Sequence, residues 1–473
     1  MHSVVVGLGK TGASCVRYLC KRGIAVSATD SRRTPPGLKE LGAAASGLDL
    51  RLGGFDLELL EDASQVVISP GISLEEPIAA AARARGIEIL GDVELFARAV
   101  RAPVIGITGT NGKSTVTTLV ARMAAAAGRR VLAGGNLGPP ALDLLEEAVP
   151  DLYVLELSSF QLDTTHSLSL QAAVVLNVSA DHLDRYASVA QYADAKARIF
   201  SDAATIVLNA DDPLVERMAA PRMAAARGAS WGGEARSGQP SGGPPRVVRF
   251  SVERTDVDFS VLREGTGGAA PPGAAQPMWL VCRGEKVLDT SRMKIKGLHN
   301  AANALAALAL GEAVGLPMAA MCAALESFPG LPHRSAWVAD IAGVHYIDDS
   351  KGTNVGATLA AVAGMPGPLV MIAGGEGKGQ DFTPLRNAFR GKVRHAVLIG
   401  KDAPALAAAL AGVCSTETVD SMAAAVSAAQ RSALPGDTVL LSPACASLDM
   451  FRDYGHRGDA FAAAVRALTG DPA

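Results

Sequence analysis

Short apolar runs alternate along this chain with amphipathic, alanine-rich stretches. Val4-Val5-Val6, Ala25 to Thr29 and Gln65 to Ile68 predict strands, with a helical stretch ending near Arg22 between the first two. That alternation implies an α/β pattern with a parallel sheet. A second series opens at Pro103. It runs from a strand at Val104 through a glycine-rich turn into a helix over Val116 to Ala127. Strands at Leu152 to Glu156, Ala172 to Asn177 and Thr205 to Asn209 follow, with a helix near Val189 to Phe200. From Arg246 to Thr290 the pattern shortens into small alternating strands. Residues 230–245 and 265–277, rich in Gly, Pro and Ala, read as flexible surface loops. A third series begins after Pro329-Gly-Leu-Pro332. Strands at Val344 to Asp348, Leu369 to Ala373, His395 to Ile399 and Thr438 to Leu441 alternate there with alanine-rich helices. The predicted fold class is α/β in three domains. They are a Rossmann-like N-terminal domain over 1–92, a P-loop ATPase-like central domain with a small β-rich part over 93–329, and a Rossmann-like C-terminal domain over 330–473.

Composition narrows the class without changing this picture. A length of 473 residues suits about three domains at roughly 150 residues each. Aromatics are only 4%, so the cores are expected to be built from Val, Leu, Ile and Ala. A net charge of −3 gives no reason to expect a nucleic-acid or membrane surface. The six cysteines form no C-x-x-C pair and read as reduced thiols. The chain opens directly on a strand, with no signal segment and no clean membrane span, so a cytoplasmic protein is expected.

The stretch Val104-Ile-Gly-Ile-Thr-Gly-Thr-Asn-Gly-Lys-Ser-Thr115 carries the most chemistry. Glycines let backbone N–H groups converge on phosphate oxygens, and the start of the following helix adds partial positive charge. Gly109, Thr110, Asn111, Gly112 and Thr115 form the expected cradle. Lys113 is expected to reach the outer phosphates, and the Ser114 hydroxyl to face Mg²⁺. The spacing departs from the common G-x-x-x-x-G-K-[ST] form, because Ile107 holds the first glycine position and the glycines fall at 106, 109 and 112.

Other groups surround this loop. Gly7-Leu-Gly-Lys-Thr-Gly12 follows the opening strand, and Asp30 stands 18 residues beyond it, which suits NAD, another nucleotide, or simply a tight turn. Glu156 ends an apolar strand, where a carboxylate can hold Mg²⁺ or merely be solvated. His182, with Asp181 and Asp184, is a candidate metal or substrate residue, or a cap. Lys196 taken alone reads as a surface lysine on a helix. Asn300 and Asn303 open an alanine-rich helix, as caps or as amides reading a nucleobase. Polar clusters at Pro332-His-Arg334, Asp348 to Asn354, Gly374 to Phe382 and Leu441 to Phe451 each follow a strand. The carboxyl ends of strands line the ligand crevice of an open α/β sheet, so these clusters suit an anionic, carboxylate-bearing ligand.

Taken together, these residues resemble the Mur ligases, the ATP-dependent amide-forming enzymes of peptidoglycan precursor synthesis. The resemblance rests on Gly109-Thr-Asn-Gly-Lys-Ser114, Leu155-Glu-Leu-Ser-Ser-Phe-Gln-Leu162, Gly330-Leu-Pro-His-Arg334, Asp349-Ser-Lys-Gly-Thr-Asn354 and Leu441-Ser-Pro-Ala-Cys-Ala-Ser-Leu448. The Asp-Asn-Pro-Arg signature of the diaminopimelate-adding relatives is absent from the sequence. The resemblance implies addition of D-glutamate to UDP-N-acetylmuramoyl-L-alanine through an acyl phosphate, by a cytoplasmic monomer. It implies that Lys10, Thr11, Asp30 and Ser31 meet the uridine end, and that Asn136 meets the sugar or phosphate portion. Lys113 and the loop amides hold the ATP phosphates, while Asn300, Asn303, Arg334 and Asp349 surround the rest of the nucleotide. Ser114 and Glu156 hold one Mg²⁺; His182 and a carbamylated Lys196 hold another. Lys351, Thr353, Lys378, Ser447 and Leu448 hold the glutamate carboxylates. Tyr454 stands near that pocket with no role assigned. Alternatives are a related ligase with another acceptor, a nucleotide-dependent oxidoreductase built on the first domain, and a non-catalytic ATP switch.

Overall fold

The computed structural model describes all residues except 46, 221, 224–243, 264–277, 366 and 470–473. The expected loops at 230–245 and 265–277 lie outside the described residues, apart from Pro244 and Pro245. The chain forms three sheets in succession. The first is wholly parallel. It contains β1 (His2–Val6), β2 (Ala25–Asp30), β3 (Asp49–Leu52), β4 (Gln65–Ile68) and β5 (Glu88–Leu90), in the order β3-β2-β1-β4-β5.

The second sheet has nine strands: β6 (Val104–Thr108), β7 (Val131–Gly135), β8 (Leu152–Glu156), β9 (Leu170–Val175), β10 (Ala203–Asn209), β11 (Arg246–Ser251), β12 (Phe259–Arg263), β13 (Met278–Cys282) and β14 (Glu285–Asp289). Their order is β14-β13-β12-β11-β10-β9-β6-β8-β7. The pairings from β7 across to β12 are parallel, and β12 meets β13 antiparallel, so the small β-rich part extends the same sheet. The third sheet orders β15 (Ala336–Ile341), β16 (Val344–Asp348), β20 (Thr438–Leu441), β17 (Leu369–Gly374), β18 (Val393–Ile399) and β19 (Ser415–Thr418). Only the edge pair β15–β16 is antiparallel.

Central strands of such sheets are covered on both faces, which is why they read as continuous apolar runs and not as alternating ones. Every residue of β6, β8, β17 and β20 is buried. The strand expected from Ala172 starts two residues earlier and ends at Val175. The helix after the glycine-rich turn starts at Lys113, three residues before the apolar signal. β7 was not foreseen, because Val-Leu-Ala-Gly-Gly carries too little bulk to announce a strand.

By compactness the chain forms two units. One is Met1–Val178 with Ala190–Leu288 and Asn303–Leu325. The other is Ser179–Val189 with Asp289–Ala302 and Glu326–Ala473. In the second unit a fully buried arginine ties the strand-end loops together. Arg457, from the helix Tyr454–Ala467, donates to Ser350 Oγ (3.0 Å), Ser350 O (2.8 Å), Cys445 O (3.0 Å), Ala446 O (3.3 Å) and Gly374 O (3.4 Å). Burial pulls its guanidinium down to about 10, against the pull of nearby acidic groups. Arg457→Met should cost about 3–5 kcal/mol, because it strands several buried carbonyls at once. Urea unfolding measures this, and a loss below about 1 kcal/mol would contradict the assignment.

Candidate active site

The glycine turn after β1 is dictated by close backbone approach. Gly7 has φ of +91°, and a Cβ on Gly12 would lie 1.9 Å from the Gly7 carbonyl oxygen. Asp30, at the end of β2, is spent partly on this turn. Its Oδ2 accepts from Leu8 N at 2.7 Å, and its carboxylate is gripped by the Arg32 guanidinium at 2.7 and 2.9 Å. Burial opposes its charge, but the bonds from Arg32 and the Leu8 amide outweigh that and hold the carboxyl below the ordinary range.

The turn opens onto a cleft of ≈ 600 Å³. Lys10, Thr11, Asp30, Ser31 and Asn136, five residues expected to meet the UDP-bearing substrate, all line it. Gln161 lines it too, a residue to which the sequence assigned no role.

In the second sheet the loop from Gly109 to Gly112 joins β6 to the helix Lys113–Ala126. Gly112 has φ of +86°, and a Cβ there would stand 2.4 Å from Asn303 Oδ1, so this amide sits against the loop. Asn177 pins the loop: Thr110 N donates to Asn177 O and Asn111 N to Asn177 Oδ1, both at 2.9 Å. Asn177 was missed as a functional residue. Its one signal was an asparagine just beyond a strand of the same sheet. Ser114 and Thr115 are buried in the first turn of the helix. Lys113 Nζ donates to Gly109 O and Thr110 O, both at 2.9 Å, so its ammonium lies against the loop backbone.

Lys196 overturns the plain reading of a surface lysine. It is 1% exposed, with Nζ 3.0 Å from Gly109 O, 3.4 Å from Thr108 Oγ1 and 4.4 Å from the centre of the Tyr192 ring. The helix Val189–Ala197 packs that face inward, which its alanine-rich sequence did not signal. Glu156 ends β8 and is buried. Its Oε1 accepts from Asn136 Nδ2 at 2.6 Å, while its Oε2 has no hydrogen-bond partner among the described residues. A buried, half-satisfied carboxylate is costly unless a cation or donor meets it, so this position fits Mg²⁺. Among the described residues no group of three or more His, Cys, Asp or Glu side chains forms a metal cage.

The second unit holds the other expected residues. His182 has φ of +55°, and its Nε2 lies 3.9 Å from Asp181 Oδ2. Asn300 is inside the helix Leu298–Ala313 and not its cap; its Nδ2 donates to Lys296 O at 2.8 Å. Lys351 and Thr353 follow β16, Ser447 and Leu448 follow β20, and Lys378 follows β17. These three strands are neighbours in the sheet, so the five residues expected to hold glutamate issue from one edge. Lys351 Nζ stands 3.8 Å from the centre of the Tyr454 ring. Ser447 is buried and Leu448 is exposed.

Asp349 is buried and accepts from Ser442 Oγ (2.8 Å) and Ser335 N (3.0 Å). Burial pushes its carboxyl up to about 6, against these bonds and the charge of Arg334. His333 Nδ1 lies 2.7 Å from Asp348 Oδ2, a contact not foreseen from the sequence.

Three family profiles match in series. They are described as the Mur ligase MurD-like N-terminal domain (residues 1–91), the Mur ligase middle domain (107–311) and the Mur ligase glutamate ligase domain (333–445). The chain belongs to the Mur ligase family. Among its relatives is the UDP-N-acetylmuramoylalanine–D-glutamate ligase of Nitrosococcus oceani, 51% identical over 468 residues, covering 98% of this chain and 96% of that one. The same-named ligase of Methylococcus capsulatus is 47% identical, covering 98% and 94%. Solved structures share the fold at 18% identity. The UDP-N-acetylmuramate–alanine ligase of Thermotoga maritima has a TM-score of 0.59 with 100% of each chain covered, and MurF of Acinetobacter baumannii has 0.59 with 88% and 87% covered.

Gly112→Ala should lower ATP turnover by about tenfold or more while the protein still folds, since the new methyl group meets Asn303 in a backbone conformation that alanine resists. ADP release and thermal unfolding check this together, and unaltered turnover would contradict it. Asp349 gives a pH prediction. Its folded value of about 6 lies above the ordinary 3.8, so the folded state binds the proton more tightly. Its contribution is most favourable below the unfolded value, falls as pH rises through this window, and is flat above the folded value. From pH 4 to pH 7, Asp349→Asn should therefore gain stability relative to the parent by roughly 2–3 kcal/mol. A difference that does not vary with pH would refute this.

Proposed function

We propose that this chain is an ATP-dependent, ADP-forming ligase that adds D-glutamate to UDP-N-acetylmuramoyl-L-alanine in peptidoglycan precursor synthesis. Full-length likeness to relatives named for that ligation carries the substrate assignment. The buried Glu156 carboxylate, with one oxygen unmet among the described residues, supports the phosphate chemistry. The reaction is assigned to the cytoplasm and to a monomer. Among the described residues no helix is long and apolar enough to cross a membrane.

In this reading the first-sheet cleft takes the UDP-bearing substrate, with Lys10, Thr11, Asp30 and Ser31 at its uridine end. The amides of residues 109–115 and the Lys113 ammonium take the ATP phosphates. Ser114 and Glu156 would hold Mg²⁺, with a carbamylated Lys196 as a ligand for a second ion. Bound there, Mg²⁺ offsets the repulsion between an anionic nucleophile and an anionic phosphoryl group. The L-alanyl carboxylate attacks the γ-phosphorus, giving an acyl phosphate and ADP. The D-glutamate amine then attacks the acyl carbon, and phosphate leaves as the amide forms. Lys351, Thr353, Lys378, Ser447 and Leu448 hold the glutamate carboxylates. Carbamylation adds CO₂ to the neutral Lys196 amine with loss of two protons from the ammonium, and the one N–H that remains can still donate to Gly109 O.

ADP release should require D-glutamate and UDP-N-acetylmuramoyl-L-alanine together. Turnover with L-glutamate in place of D-glutamate, or none with the D-isomer, would overturn the proposal. Lys196→Ala should lose activity, and short carboxylates should restore part of it. Near-normal activity of this variant, with no effect of added carboxylate, would remove the carbamate.

A further inference from the structure

The steps above leave one fully buried carboxylate unused. Asp92 starts the helix Asp92–Ala97, directly after the first sheet, and is 1% exposed. Gln161 Nε2 donates to its Oδ2 at 3.1 Å and to its Oδ1 at 3.4 Å. Gln161 is itself 3% exposed and is one of the residues lining the substrate cleft.

The other end of the Gln161 amide is fixed as well. Its Oε1 accepts from Ser158 N at 3.1 Å and from Ser158 Oγ at 3.2 Å, which completes a capping box on the helix Ser159–Asp163. An ionised carboxylate can only accept, so the NH₂ group must face Asp92 and the carbonyl must face Ser158. The reversed amide would set its oxygen against the carboxylate. Of the two hydrogens on Nε2, Asp92 uses one.

Burial pushes the Asp92 carboxyl up to about 6 even with Gln161 and the helix-start amides of Asp92 and Val93 favouring its charge. A serine would meet those amides without a buried charge, and an apolar residue would fill the space without one. With the Ser158 amide donating on the carbonyl side, the carboxylate completes the fixed direction of the Gln161 amide from the NH₂ side.

We propose that Asp92 is a positioning residue for the UDP-bearing substrate: it holds the Gln161 amide in one orientation, so that its second N–H is presented to the cleft. The inference rests on the ligase reading above, which supplies the substrate. The Gln161 N–H is assigned to a contact that holds substrate and transition state alike, so its loss appears in KM for that substrate and not in kcat.

The test measures kcat and all three KM values for the parent, Asp92→Asn, Asp92→Ala, Gln161→Ala and the double variant D92A/Q161A, with thermal unfolding alongside. D92A should raise KM for UDP-N-acetylmuramoyl-L-alanine about tenfold, leaving kcat and the KM values for ATP and D-glutamate within about twofold. D92N keeps the volume but loses the charge and can turn its own NH₂ toward Gln161, and should raise the same KM about threefold. The double variant should be no worse than Q161A, because Asp92 acts through Gln161. Losses that add fully, or that spread over all three KM values, would overturn the proposal. Should D92A fail to fold, a D92N KM equal to that of the parent overturns it alone. Parent protein that releases no ADP with this substrate pair sinks the ligase reading, and the positioning role with it. Parent turnover with unaltered KM in D92N and D92A sinks only the positioning role.

Discussion

A parallel strand delivers its chain to the same edge as its neighbours, and at that edge the backbone leaves the ladder with N–H and C=O groups still to be satisfied. Each of the three sheets meets this constraint with polar loops. After β1, β2 and β4 the loops line the cleft of the first sheet. After β6, β8 and β9 they bring the phosphate loop, Glu156 and Asn177. After β16, β17 and β20 they bring the residues assigned to glutamate. The groups that satisfy a loop internally are also those a ligand would engage. Gly109 O, for example, accepts from both Lys113 and Lys196.

The second theme is buried charge. Glu156, Lys196, Asp349, Asp92 and Arg457 are all buried, and each pays for desolvation with a specific set of partners. For Arg457 the partners are carbonyls of three loops, which makes it a fastening for the edge. For Glu156 the set is incomplete, and an incomplete set at a strand end beside a phosphate loop is a place for a cation.

Much of the site was legible residue by residue, because its chemistry is local. The glycines of the phosphate loop, Lys113 after them and Glu156 at the end of an apolar run were readable from spacing. Lys10, Thr11, Asp30 and Ser31 were assigned through the resemblance, and they line one cleft. The residues that escaped notice were those whose meaning lies in a partner far along the chain. Asn177 acts on Asn111, Arg457 on Ser350, and Asp92 on Gln161. Lys196 belongs with these, since nothing in Ala-Asp-Ala-Lys-Ala tells which face of the helix turns inward.

The sequence by itself determined the alternation of strands and helices, the three-part α/β organisation and the glycine-rich turn after β6. These depend on short-range periodicity and on backbone geometry that only glycine tolerates. The tertiary structure alone decided which polar side chains are buried, which carbonyls they satisfy and which loops share an edge. Strand order is not sequence order: β20 lies between β16 and β17, and β6 lies between β9 and β8. Burial and pairing follow from that order, so they could be read only after the chain had folded.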